Sequence, residues 1–254
     1  MLDWIWTGFF FILGLLFGSF FNVVGLRIPK NMSIVFPNSH CDHCQRELSW
    51  FENIPVLSWL FLRGRCRTCD ARISPLYPVM ELATGLLFAL TYFKHGLGPN
   101  LLIGILFVSL LVIITVSDLA YMIIPDPVLL VFLIFFVVLR IFFPLQPWWD
   151  ALIAAALGFG ILYLLAIISK GGMGGGDIKL FFVLGLILGT KATLMTLFLA
   201  SFIGSLFGVV KIIRKKHKRK QPIPFAPFIS IGAIISYFYT DVIIKWYFGW
   251  FIFF

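Results

Sequence analysis

NLLIGILFVSLLVIITVSDLA, residues 100–120, carries a single ionisable side chain, Asp118. About 20 mostly apolar residues suffice for a helix to cross the hydrocarbon core of a bilayer. The segment therefore predicts a membrane helix with a carboxylate at one end. Seven other stretches read the same way: roughly 4–26, 76–94, 127–143, 149–169, 177–190, 192–213 and 225–250. The predicted fold is an all-α polytopic membrane protein of about eight transmembrane helices. The sixth and seventh form one apolar stretch broken only by Gly189-Thr190-Lys191, too long for one helix and short for two.

Composition agrees. The 254 residues are 61% hydrophobic and 12% charged, with mean hydropathy +1.02. Soluble domains run at about 45–50% apolar and about 25% charged. The first apolar run is long enough to span, no positive residue precedes it, and it lacks a small-residue cleavage site, so it reads as a membrane helix and not a secretory signal. The net charge of +9 could suit nucleic acid, but its placement suggests topology instead, and no nucleic-acid partner is expected.

Basic residues in short loops stay cytoplasmic. Residues 27–75 hold Arg27, Lys30, Arg46, Arg63, Arg65, Arg67 and Arg72; residues 211–220 hold Lys211, Arg214, Lys215, Lys216, Lys218, Arg219 and Lys220. Eight helices with the N-terminus outside put both loops inside, whereas merging the sixth and seventh would separate them. The 211–220 run reads as a solvated loop attracted to anionic membrane lipids. The expected organisation is a first transmembrane helix (1–26), a cytoplasmic four-cysteine loop (27–75) and a membrane-embedded core (76–254).

Asp118 then lies at the cytoplasmic end of helix three, and Asp177 begins helix six on the same side. A carboxylate near a bilayer is costly and marks a functional site by default. Two of them suggest an acid/base pair, because close like charges share a proton. Gly174, Gly175 and Gly176 precede Asp177; with Gly171 and Gly172 they cannot form a stable helix interior and let a substrate strand or water approach the backbone. The bland reading of Asp177 is a helix cap, and the same holds for Asp126 between Pro125 and Pro127. Lys179 either pairs with a carboxylate or snorkels to the interface. Glu81, one turn inside the second helix, wants a partner: a substrate ammonium or Arg27. Asn22 reads as packing glue in helix one.

Cys41-x-x-Cys44 and Cys66-x-x-Cys69, with 21 residues between the pairs, can supply four thiolates to a structural zinc ion. Disulfides are the rival, but a cytoplasmic loop keeps thiols reduced. Such a site would give a small zinc-ribbon-like loop the staple its size demands. His40 and His43 beside the first pair are alternative ligands or exposed loop residues. There is no Gly-x-Ser-x-Gly, no His-Glu-x-x-His and no dinucleotide fingerprint.

Gly174-Gly175-Gly176-Asp177 resembles the Gly-x-Gly-Asp signature of intramembrane aspartyl proteases. With Asp118 and Ile124-Pro125-Asp126, it resembles the prepilin peptidases of the aspartic A24 type. Gly18-Ser19-Phe20-Phe21-Asn22-Val23, Arg27-Ile28-Pro29, Asn53-Ile54-Pro55, Ser58-Trp59, Gly64-Arg65-Cys66-Arg67, Tyr77-Pro78 with Glu81, and Ile223-Pro224-Phe225-Ala226-Pro227-Phe228 extend the likeness over nearly the whole chain. Asp42 and Ala226 depart from it, standing where many members have proline and glycine.

The resemblance implies cleavage of a short basic leader from type IV prepilin or pseudopilin precursors, after a glycine at the cytoplasmic membrane face. It assigns catalysis to Asp118 and Asp177. It also implies N-methylation of the new terminus with S-adenosylmethionine in members with the four cysteines, and it is nearest the competence type of Gram-positive bacteria. Two other classes fit the residues alone: a proton-coupled transporter, whose acids usually sit nearer the midplane, and a zinc-stapled scaffold.

Overall fold

The computed structural model describes residues 2–169, 172–213 and 223–252. Gly171 and the basic run Arg214–Lys220 lie outside the described residues. Among the described residues there is no strand, only two isolated β-bridges. The chain divides into two compact units, Met1–Tyr121 and Met122–Phe254.

In the first unit α1 (Leu2–Arg27) runs into a 3-10 turn (Ile28–Lys30). The cysteine loop follows, with a second 3-10 turn (Trp50–Asn53) and the short α2 (Leu57–Phe61). The long helices α3 (Leu76–His95) and α4 (Pro99–Tyr121) complete the unit. Small residues let α1 and α3 close on each other: a Cβ on Gly14 would stand 2.7 Å from the Gly85 Cα, and one on Gly18 2.8 Å from the Glu81 Cα. Without a hydrophobic drive between helices in lipid, such close backbone packing is what holds them together. Asn22 adds a polar tie, its Nδ2 donating to the Tyr77 carbonyl at 3.2 Å. Phe88, Phe107, Leu110 and Ile114 form the sealed interior.

The second unit contains α5 (Asp126–Phe142), α6 (Asp150–Ile168), α7 (Gly175–Ile213) and α8 (Ala226–Ile252). Ala151, Ala154, Ala155 and Gly158 line the buried stripe of α6, and a Cβ on Gly185 of α7 would collide with the Ala154–Ala155 backbone. Outward residues such as Leu16, Leu86, Ile134, Leu164 and Phe198 are exposed, as expected of helices that are apolar all round and face lipid.

Among the described residues, six helices are long and apolar enough to cross a membrane: α1, α3, α4, α6, α7 and α8. α5 has 17 residues. The stretch expected as two helices, 177–190 and 192–213, is continuous except at Gly189, whose φ of 74° and ψ of 173° interrupt α7. A broken helix leaves carbonyls and amides to be satisfied in lipid. Arg140 of α5 donates Nε to the Leu186 carbonyl at 3.0 Å and a terminal nitrogen to the Ile187 carbonyl. Asp150 of α6 accepts the Thr190 N–H at 3.2 Å. Neighbouring helices thus cap both sides of the break.

Candidate active site and metal centre

Asp118 lies in the last turn of α4. It is buried, with 6% of its surface exposed, and belongs to the first unit.

Asp177 belongs to the second unit. It is the third residue of α7, not its cap, and its N–H donates to the Gly174 carbonyl at 3.2 Å. The helix dipole favours an anion there. The three glycines before it have different surroundings. A Cβ on Gly174 would stand 3.3 Å from Asp177 Oδ2, and one on Gly175 would meet nothing within 4 Å. On Gly176 it would press on Ile124 Cβ at 2.8 Å. The first two leave the backbone beside Asp177 bare; the third lets α7 pack on the segment that leads into α5.

Lys179 pairs with Asp126, Nζ to Oδ2, at 2.7 Å. Asp126 is the first residue of α5, with Pro125 in the cap position. The pairing alternative for Lys179 is the one realised. Together with the Gly176–Ile124 contact, it fastens the start of α7 to the start of α5.

Glu81 is buried on α3 and accepts the backbone N–H of Val56 at 2.7 Å. Val56 has a φ of 61°, an uncommon conformation for a β-branched residue. Arg27, one of the two partners considered for Glu81, instead donates to the carbonyls of Ser33 at 3.2 Å and Asn38 at 3.5 Å. A link between residues 25 apart in sequence, through a backbone amide, has no sequence signature.

The four cysteines converge. Their sulfurs all lie within 4.8 Å of one another, with Cys41–Cys69 at 3.7 Å and Cys44–Cys66 at 4.0 Å. A tetrahedron with zinc–sulfur bonds of about 2.3 Å has sulfur–sulfur edges of ~3.8 Å, so the array fits a metal such as zinc. All four are free of disulfides.

Two equivalent turns build the array. In the first, the Cys41 N–H donates to Arg46 O at 2.9 Å, Gln45 N–H to Cys41 O at 2.9 Å, and Leu48 N–H to Ser39 O at 2.8 Å. The second repeats these bonds as Cys66 to Ala71, Asp70 to Cys66 and Ile73 to Gly64, at 2.8, 3.0 and 2.8 Å. Gln45 and Asp70 take the same left-handed turn position, with φ of 56° and 58°. His40 Nδ1 stands 2.9 Å from the Asn38 carbonyl, and the metal-ligating cluster consists of the cysteines.

The N–H groups of Cys69 and Thr68 lower the Cys66 thiol to about 6. At Cys69 the Ala71 N–H acts downward, but burial and the neighbouring thiols push it up to about 11. A divalent cation held by the four sulfurs would supply the positive charge that thiolate ligands need.

Arg46 and Glu52 brace the module through two bonds, 3.0 and 2.6 Å. Glu52 also takes the Ser49 N–H at 2.8 Å. The Arg46 guanidinium, helped by that N–H, holds the Glu52 carboxyl down to about 2.

The sequence reading missed the Arg46–Glu52 brace and the capping of the α7 break by Arg140 and Asp150. An arginine and an aspartate at the ends of apolar segments were the available signal.

Residues 12–95 match the bacterial peptidase A24 N-terminal domain, and residues 105–209 match the type IV leader peptidase family. Three similar proteins carry the name prepilin leader peptidase/N-methyltransferase. The one from Bacillus subtilis (strain 168) is 44% identical over 93% of this chain and 96% of its own length. The protein from Aeromonas hydrophila is 35% identical over 97% and 95%. That from Pseudomonas aeruginosa (strain PAO1) is 33% identical over 93% and 91%. No solved structure matches. The transporter reading finds no support in these matches. The chain belongs to the type IV leader peptidase family, as a multi-pass membrane member that retains the four-cysteine module.

Proposed function

We propose that this protein is a membrane aspartyl endopeptidase that removes the leader from type IV prepilin-like precursors, competence pseudopilins among them, and then N-methylates the exposed terminus. Cleavage follows a glycine at the cytoplasmic membrane face. Asp118 and Asp177 are the acid/base pair. One carboxylate takes a proton from water, and the water oxygen attacks the scissile carbonyl carbon. The other, protonated, supports the carbonyl oxygen and gives its proton to the leaving nitrogen as the C–N bond breaks.

The observation that carries this reading is the setting of Asp177. Its carboxylate stands in the first turn of α7 beside backbone stripped of side chains at Gly174 and Gly175. An extended peptide needs that clearance. The basic loop 27–75 supports a cytoplasmic placement through the charge rule, and a basic leader is attracted to an acidic site on the same face. Cys41, Cys44, Cys66 and Cys69 hold zinc as a structural ion. S-adenosylmethionine supplies the methyl group.

Incubating the purified protein with a prepilin peptide, with and without S-adenosylmethionine, tests this directly. The product mass should fall by the leader in both cases, and rise by one methyl group only when the donor is present. Intact precursor after prolonged incubation contradicts the peptidase assignment.

A further inference from the structure

The peptidase reading leaves unused a basic face of the four-cysteine module. Arg63, Arg65 and Arg72 line an open recess of about 450 Å³ in the first unit, within the size range of ligand sites. Trp59 is a fixed part of its wall: Nε1 donates to the Ile73 carbonyl at 3.2 Å, and the ring fills the space a Cβ on Gly64 would need. Pro75 also lines the recess and stands in the cap position of α3. Because α3 is long and apolar enough to cross a membrane, a recess at its start lies at the depth of the lipid headgroups.

The charges in the recess are unbalanced. Arg65 and Arg72 oppose each other across an isolated antiparallel bridge, where like charges repel. Asp70 pairs with Arg65 at 2.7 Å, but among the described residues Arg63 and Arg72 have no ion pair. Within residues 61–75 four arginines stand against that one aspartate. Guanidinium forks in such a cluster match the oxygens of a phosphate.

The helix that leads into Arg63 has two faces. Ser58, Trp59 and Leu62 of α2 point toward α1 and α3, lining the space between them and the module. Leu57, Leu60 and Phe61, spaced to share the opposite face, are 51%, 57% and 83% exposed. They lie outside the spanning helices, so lipid tails around those helices do not account for them, and a bare apolar face marks an interaction surface. An apolar face joined to a basic cluster is the combination that holds a segment on an anionic bilayer surface.

We infer that this face of the module docks on the membrane surface, with Arg63 and Arg72 holding the phosphate of an anionic phospholipid and Leu57, Leu60 and Phe61 entering the apolar layer beneath the headgroups. The lipid supplies the counter-charge that the protein lacks there. The site uses neither Asp118 nor Asp177 and stands whether or not the protein cuts leaders.

Amide exchange of the full-length protein tests it, in nanodiscs of phosphatidylglycerol and in nanodiscs of phosphatidylcholine. Residues 57–65 and 72–76 should exchange at least about tenfold more slowly in the anionic discs. The double variant Arg63→Gln/Arg72→Gln should lose that difference, and Phe61→Ser should reduce it, with the thermal midpoint as the check on folding. Equal exchange of wild type in the two discs overturns the inference, as does a difference that survives in the folded double variant. Two further arms use wild type in neutral detergent. Glycerol phosphate at millimolar concentration should leave these amides unchanged; protection equal to that in the anionic discs would make this a site for soluble phosphate esters and overturn the lipid assignment. Raising the protein concentration should also leave them unchanged; protection that grows with it would assign the face to a second copy of the chain.

Discussion

Lys179 and Asp126 join the first turns of α7 and α5 through an ion pair of 2.7 Å. Both side chains are more than half exposed, so solvent screens the attraction, and such pairs contribute about 0–1 kcal/mol. The tighter fastener between the same two helix starts is Gly176 against Ile124. Lys179→Gln should therefore change unfolding free energy by less than ~1 kcal/mol. Gly176→Val should cost about 1–3 kcal/mol by overpacking. Denaturation in detergent compares them, and a larger loss in Lys179→Gln contradicts this ranking.

The interruption of α7 depends on its caps. Gly189→Ala forces a Cβ into the Asp150 carboxylate at a backbone angle that L-residues rarely adopt. Arg140→Met strands the carbonyls of Leu186 and Ile187. Each unsatisfied buried group costs about 1–3 kcal/mol. Both variants should lower the thermal midpoint, and amide exchange should rise most around residues 185–193. An unchanged exchange pattern there argues against the caps.

Metal analysis of freshly reduced protein should find about one zinc per chain. Stripping it with a chelator should expose the amides of residues 39–48 and 64–73 to exchange, because both turns bring their sulfurs to the one ion. Cys66→Ser should do the same without a chelator. Metal-free protein with full protection of both turns contradicts a structural ion.

The Glu52 carboxyl is lowered from its ordinary 4.5 to about 2 by Arg46 and the Ser49 N–H. A depressed carboxyl stabilises the fold above its unfolded value and loses that stabilisation as pH falls toward the folded value. The stability difference between wild type and Glu52→Gln should be full above pH ~4.5 and shrink progressively to pH ~2. Amide exchange in the module across that range measures it. A difference independent of pH assigns Glu52 a packing role instead.

The helices were legible because apolar runs end at strong breakers: Pro99 opens α4, and Pro125 stands just before α5. The paired cysteines announced their own array, since two short turns impose the geometry locally. Other features depend on distant parts of the chain. The break at Gly189 holds because α5 and α6 supply its caps. Glu81 meets Val56 across a loop whose path the cysteines set. A recess of about 570 Å³ lined by Ser19, Tyr77, Glu81 and the cysteine loop exists only once that loop is folded beside α1 and α3. Lys179 left pairing and snorkelling equally open, and only the packed start of α5 selects the first.

Asp118 and Asp177 carry the central claim, and conservative removal of each charge tests it. Asp118→Asn and Asp177→Asn, purified and assayed on a prepilin peptide, should each lose at least about 10²–10⁴-fold in cleavage rate. Membrane insertion, zinc content and S-adenosylmethionine binding should persist. Leader removal at the wild-type rate by either variant contradicts the aspartyl mechanism.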